Sequence, residues 1–211
     1  MNLKSYLVEK KNVKSKTNSK NLVENGYVKV NGRKVLKPTL PVDDRDEIEI
    51  TDEEKADVPE SYWILEKIQD EKNLIEKGDF VIDIESRDGG FPVFIEEFAE
   101  VLVLTKGNPM FDGFDFPVKD FNPRDVGDLV SEKADVLINE LEIDLIRSFQ
   151  ILNDLMEFVK SKGKILVHLT TKSREKSEVV SMSEELFNTL GFVRIDIFTV
   201  DKKMYGLARK N

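Results

Sequence analysis

Two hundred and eleven residues, 40% of them apolar, can fill one ordinary core or a small module joined to a mid-sized domain, which excludes wholesale disorder. With no cysteine and one histidine, His168, disulfides, thiolate metal sites, cysteine nucleophiles and any multi-histidine centre within one chain are excluded. The net charge of −9 divides unevenly: residues 1–40 carry ten Lys/Arg against two acids, whereas residues 41–211 carry 22 against 39, as expected where one end meets a polyanion.

In chain order, Leu3, Leu7 and Val8 give a first helix one apolar face. A second helix is predicted from about Thr17, with Leu22 and Val23 inward and Gly26 as its stop. Tyr27–Val30 and Arg33–Leu36 flank Asn31-Gly32, a pair that suits the two positive-φ positions of a tight hairpin. Glu47–Ile50 adds a strand. Thr51–Glu60, dense in acids and holding Pro59, reads as a linker. The expected organisation is a module over 1–50, a linker over 51–60 and a domain over 61–211.

Within that domain, strands are expected at 80–84, 101–105, 135–138, 164–169, 192–198 and 203–208. Helices are expected near 61–75, 91–98, 123–132, 142–160 and 181–190. Ile143, Ile146, Phe149, Leu152, Leu155 and Met156 form a helical stripe that packs on a sheet. Such alternation predicts an α/β fold, its mainly parallel sheet covered on both faces. Val200–Lys203 makes a hairpin-like connection, so the last of about seven strands is antiparallel. Apolar runs such as 80–82 and 101–104 are too short to span a bilayer, and the opening Met1-Asn2-Leu3-Lys4 lacks a signal peptide's apolar run. A cytoplasmic protein without membrane contact is expected.

The basic residues suggest the first function. Lys4, Lys10, Lys11, Lys14, Lys16 and Lys20 lie on the two helices and the loop between them, and Lys29, Arg33, Lys34 and Lys37 extend the positive field across the hairpin. Phosphates reward such a surface through counterion release, without base contacts. The bland alternative is a solvated Lys-rich face. Tyr6 and Tyr27 are the sole aromatic residues there, too few for a platform that stacks loose bases, so structured RNA is favoured over single strands. The run Leu22-Val23-Glu24-Asn25-Gly26-Tyr27-Val28-Lys29-Val30-Asn31-Gly32, closed by Asp46–Ile50, resembles the αL (S-four-like) RNA-binding domain. Asn2-Leu3-Lys4 stands where that family opens Arg-Leu-Asp.

A strand ending Asp83-Ile84-Glu85 and running into Gly89-Gly90-Phe91 resembles the S-adenosylmethionine loop of FtsJ-type ribose methyltransferases. The order of the two domains is similar to that of the TlyA-type haemolysin/rRNA methyltransferase family. The resemblance implies a Rossmann-like methyltransferase fold, with Asp83, Gly89, Gly90 and Asp120 as cofactor-binding positions. It also implies S-adenosylmethionine bound weakly or not at all, because Glu85 stands at a glycine position and Thr105 where an acid grips the ribose. The family's Lys-Asp-Lys-Glu set falls on Ile64, Glu140, His168 and Lys203, which leaves Glu140 and His168 as the fallback acid–base pair. Met110–Phe116 is expected to be core or lid, Trp63 to pack a domain junction, and no metal is expected. The function implied is binding of structured RNA, rRNA or ribosomal particles. An active rRNA ribose methyltransferase and an assembly scaffold contacting a protein partner stand as alternatives.

Overall fold

Two short helices open the computed structural model, each started by a polar cap. The Asn2 side chain accepts from the Ser5 N–H at the start of α1 (Leu3–Lys10), and Ser15 accepts from the Asn18 N–H at the start of α2 (Lys16–Glu24). Leu3, Leu7, Leu22 and Val23 are buried between them and the sheet that follows. That sheet has β1 (Val28–Val30) at its centre, antiparallel to both β2 (Arg33–Lys34) and β3 (Ile48–Ile50). Asn31 and Gly32 both take positive φ, 51° and 74°, as a two-residue hairpin turn requires. Asn31 also donates to the Asp46 carboxylate at 2.8 Å and accepts from the Glu47 N–H at 2.9 Å, which fixes the approach to β3.

The chain divides into two units, Met1–Trp63 and Ile64–Asn211. The structure describes residues 1–106, 118–120, 126–130, 132–171 and 174–211. The acidic stretch expected as a linker packs into the first unit. Its 3-10 turn (Glu54–Ala56) receives the Asn18 amide on the Ala56 carbonyl at 2.7 Å. Asn18 in turn accepts the indole N–H of Trp63 at 2.6 Å, and the fully buried Trp63 ring lies 5.8 Å from that of Tyr27. A buried indole needs such an acceptor, and this one comes from α2.

The second unit is a seven-stranded sheet built from β4 (Phe80–Ile84), β5 (Glu100–Thr105), β6 (Val118–Asp120), β7 (Ala134–Asn139), β8 (Val159–His168), β9 (Phe192–Val200) and β10 (Lys203–Lys210). Its order is β6-β5-β4-β7-β8-β10-β9. The described helices of the unit are the greater part of α3 (Glu60–Lys72), then α4 (Gly90–Glu96), α5 (Val126–Leu129), α6 (Leu145–Leu155) and α7 (Lys176–Thr189). β4 pairs in parallel with β5 on one side and β7 on the other, so the order reverses between β4 and β7. The antiparallel strand is β10, as expected, held between β8 and β9. Asp201 and Lys202, with φ of 47° and 73°, make the turn into it. No described helix is long and apolar enough to cross a membrane.

Two local expectations are corrected. The helix expected over 142–160 ends at Leu155, and β8 begins at Val159 rather than 164. Lys162 there takes a φ of 66°, and the pairing with β7 shifts register between Ala134 and Val136, so this irregular start hides the strand's period. The stripe also turns differently. Asp144 caps α6 by accepting from the Ile146 and Arg147 N–H groups, which puts Leu145 on the buried face with Phe149, Leu152 and Leu155. Ile146 is left 44% exposed.

Candidate functional site

The basic surface of the first unit has a polar logic of its own. Lys10, Lys11, Lys14, Lys16, Lys20, Arg33, Lys34 and Lys37 are exposed, whereas Lys4 and Lys29 are half-buried. Three of these cations already have acids beside them: Lys14 and Asp57 at 3.7 Å, Lys20 and Glu24 at 3.5 Å, Lys29 and Glu49 at 3.3 Å. Among the described residues, Lys10, Lys11, Lys16, Arg33, Lys34 and Lys37 hold no ion pair, so their charge faces solvent. Gly26, at a φ of 78°, lets Lys34 lie across the end of α2, since a β-carbon there would come within 1.8 Å of the lysine Cε. The hairpin's cation thereby reaches the helix pair. The acids of this unit concentrate in residues 43–60, which hold ten of its twelve.

The second candidate lies at the carboxyl ends of β4, β5 and β7, beside the reversal of strand order, where ligands of doubly wound sheets seat. Asp83 is completely buried. One oxygen accepts from the Ser86 hydroxyl at 2.7 Å and the other has no hydrogen-bond partner. Burial, joined by the neighbouring carboxyls of Glu140, Asp88 and Glu85, pushes its pKa well above the carboxylate range. Gly89 takes a left-handed φ of 77° and caps α4, with Gly90 opening the helix and donating to Asp88 at 3.1 Å. Asp120 ends β6 opposite Thr105, the buried last residue of β5. Met110–Phe116 lies outside the described residues.

Glu85 departs furthest from a ligand loop. Its φ is 65°, a glycine-like conformation, and its side chain is 7% exposed. One carboxylate oxygen accepts from the Lys106 N–H at 2.5 Å, beyond the end of β5, and the other lies 3.6 Å from the Arg87 Nε.

Glu140 follows β7, and its N–H donates to the Ile84 carbonyl at 2.9 Å. Its buried carboxyl has Lys203 Nζ at 3.6 Å. Burial raises its pKa to about 7, with Lys203 holding it back. Tyr205 sits one alternation beyond Lys203 on β10, directly opposite His168 of β8, with the rings 5.5 Å apart. Burial and Glu140 push the Tyr205 hydroxyl upward too, and neither that hydroxyl nor Glu140 Oε1 makes a hydrogen bond of good geometry. The strand ends thus bring Glu140 together with Lys203, and His168 with Tyr205. Ile64, on α3, offers no polar atom. Lys67 pairs with Asp201 at 2.7 Å. The tie between Glu140 and Lys203 escaped the sequence reading, although an acid and a lysine standing at two of the family's four positions was a usable signal. No group of three or more acids or histidines able to hold a metal occurs among the described residues.

The S4 domain family model matches residues 1–48. No curated protein matches the chain in sequence. Among solved structures, a candidate hemolysin from Streptococcus thermophilus shares the fold over 100% of this chain and 88% of its own, at 19% identity and a TM-score of 0.60. A SAM-dependent methyltransferase from Archaeoglobus fulgidus matches 70% of this chain and 93% of its own, at 13% identity and a TM-score of 0.56. A candidate rRNA methylase from Clostridium thermocellum matches 70% and 97%, at 12% and 0.51. At such identities the likeness is one of fold. Residues 1–48 thus match the S4 domain, and the α/β unit that follows shares the fold of these methyltransferase structures, the order of folds that the resemblance to the TlyA-type family implied.

Proposed function

We propose that the chain binds structured RNA, specifically rRNA, through its S4 domain, and that the methyltransferase-like domain does not transfer methyl groups by the ribose route that the FtsJ resemblance implies. The observation that carries the RNA reading is the set of six exposed cations without ion pairs, Lys10, Lys11, Lys16, Arg33, Lys34 and Lys37, on an S4 domain. Phosphates draw affinity from such groups in proportion to the counterions released. The rRNA preference is supported by the rRNA methylase among the fold neighbours.

S-adenosylmethionine suits the second domain poorly. Its methionine carboxylate would meet the Glu85 carboxylate, and Thr105 offers its ribose a hydroxyl in place of an acid. Ribose methylation also needs a placed base worth about 10²–10⁴-fold in rate, and Ile64 polarises nothing. A second reading, an enzyme with a rearranged site, is favoured by one observation: Glu140, lifted to about 7, has a pKa suited to a base near neutrality. Labelled S-adenosylmethionine with ribosomal subunits separates the two, since that reading requires transfer that Glu140→Gln abolishes.

The RNA reading is tested on the full chain. Lys10, Lys11 and Lys16 changed together to Glu should weaken binding to a structured rRNA fragment. The slope of log affinity against log salt should flatten by roughly 0.7–0.9 for each phosphate left unneutralised. Unchanged affinity and slope would refute it.

A further inference from the structure

Glu85 stands at the carboxyl ends of β4 and β5, the side of the sheet on which doubly wound folds seat ligands. Three observations converge on it. The backbone holds a left-handed φ of 65°, which a β-carbon disfavours and glycine adopts freely. The side chain is buried, although a carboxylate in such a place gains most by reaching water. Its destination is an acceptor's seat: the carboxylate runs from the end of β4 to the backbone N–H of Lys106, just past the end of β5. That N–H lies just beyond the carboxyl end of a parallel strand, the side on which ligands bind in doubly wound sheets. A second, weaker tie to Arg87 at 3.6 Å steadies the group from a side chain that is itself 74% exposed.

We propose that Glu85 is an internal occupant of the ligand crevice, standing where a nucleoside cofactor would lie and closing the domain to S-adenosylmethionine and its demethylated product. Occupancy, more than repulsion, is what the geometry supports, because the carboxylate is hydrogen-bonded in place. The neighbouring Asp88 and, above about pH 7, Glu140 add negative charge that a cofactor carboxylate would also face. This inference deepens the reading of the second domain and is independent of RNA binding.

The test is a calorimetric titration of S-adenosylhomocysteine into the full chain as wild type, Glu85→Gly and Glu85→Gln. Glycine suits the local φ, so the first variant should keep its fold, checked by circular dichroism. Wild type should give no measurable heat, and Glu85→Gly should bind at least about tenfold more tightly, roughly 1.4 kcal/mol. Glu85→Gln retains the volume and the acceptor for Lys106, so it should stay closed. Hydrogen exchange supplies a second readout. The Lys106 amide should be slow in wild type, fast in free Glu85→Gly and slow again when that variant holds the ligand. Tight binding by wild type, a folded Glu85→Gly that does not bind, or a Glu85→Gln as open as Glu85→Gly would each overturn the proposal.

Discussion

The two units handle charge in opposite ways. Met1–Trp63 carries twelve basic and twelve acidic residues and is neutral overall, yet its cations lie in the helices and hairpin while its acids crowd into the segment after β2. Ile64–Asn211 carries 20 against 29, and it draws several of those acids inward, at the ends of β4 and β7. Net charge therefore ranks the units poorly as partners of a polyanion. A neutral unit with segregated charge offers phosphates a surface, whereas in the acidic unit the carboxyls beside the crevice work against one another.

Trp63→Ala should have the largest effect and would break the comparison if the units were not separate. It removes a buried ring and strands Asn18 Oδ1, so it should cost the first unit about 3–5 kcal/mol. Circular dichroism melts should then show an early transition in the first unit while the second keeps its own. A uniform loss across both would mean that they unfold as one.

The acidic crevice sharpens the contrast through pH. Burial lifts the Glu140 carboxyl from 4.5 to about 7, so the folded chain retains a proton that the unfolded chain gives up. Its contribution to stability is whole below about pH 4.5 and drains away as the pH rises to about 7, and Asp83, raised by burial as well, works in the same sense. Glu140→Gln should therefore raise stability at pH 8 by up to roughly 3 kcal/mol and leave it little changed at pH 4. Urea melts across that range check it, and a pH slope equal to the wild type's would contradict the burial argument.

The smallest effect belongs to the pair of Lys29 and Glu49 on the first unit's sheet. Glu49→Ala should alter stability by less than about 1 kcal/mol, because solvent reaches and screens the pair. It should also tighten RNA binding slightly, since it returns Lys29 to the basic surface. Weaker binding on filter retention would argue that this face turns away from the RNA.

Much of this was legible because it is local. Asn31-Gly32 announced its hairpin, and apolar runs separated by helical spacing announced a parallel sheet with the fold's single reversed strand. Sequence spacing was blind where partners are distant. Nothing near Trp63 says that Asn18 will accept its indole, nor that the same Asn18 will donate to Ala56 within residues 51–60, the stretch expected as a linker. The stripe on α6 was misjudged at Ile146 because the Asp144 cap, a matter of one hydrogen-bonded turn, sets which way the helix faces. At the crevice, resemblance singled out Glu85, but only coordinates reveal that its carboxylate ends on Lys106. The pairing of Glu140 with Lys203 joins strands far apart in sequence and reaches past β8, which lies between them in the sheet.

That order also governs how the second unit can be assembled during synthesis. β10 follows both of its neighbours in the chain, yet it lies between them. As the polypeptide leaves the ribosome, β9 has no strand to pair with, and β8 keeps an open edge, until residues 203–210 have emerged. The S4 domain faces no such delay, since all three of its strands precede residue 51. A nascent chain stalled before β10 would thus present a formed S4 domain joined to an unfinished sheet with an unsatisfied edge, the kind of surface that chaperones hold and that aggregates.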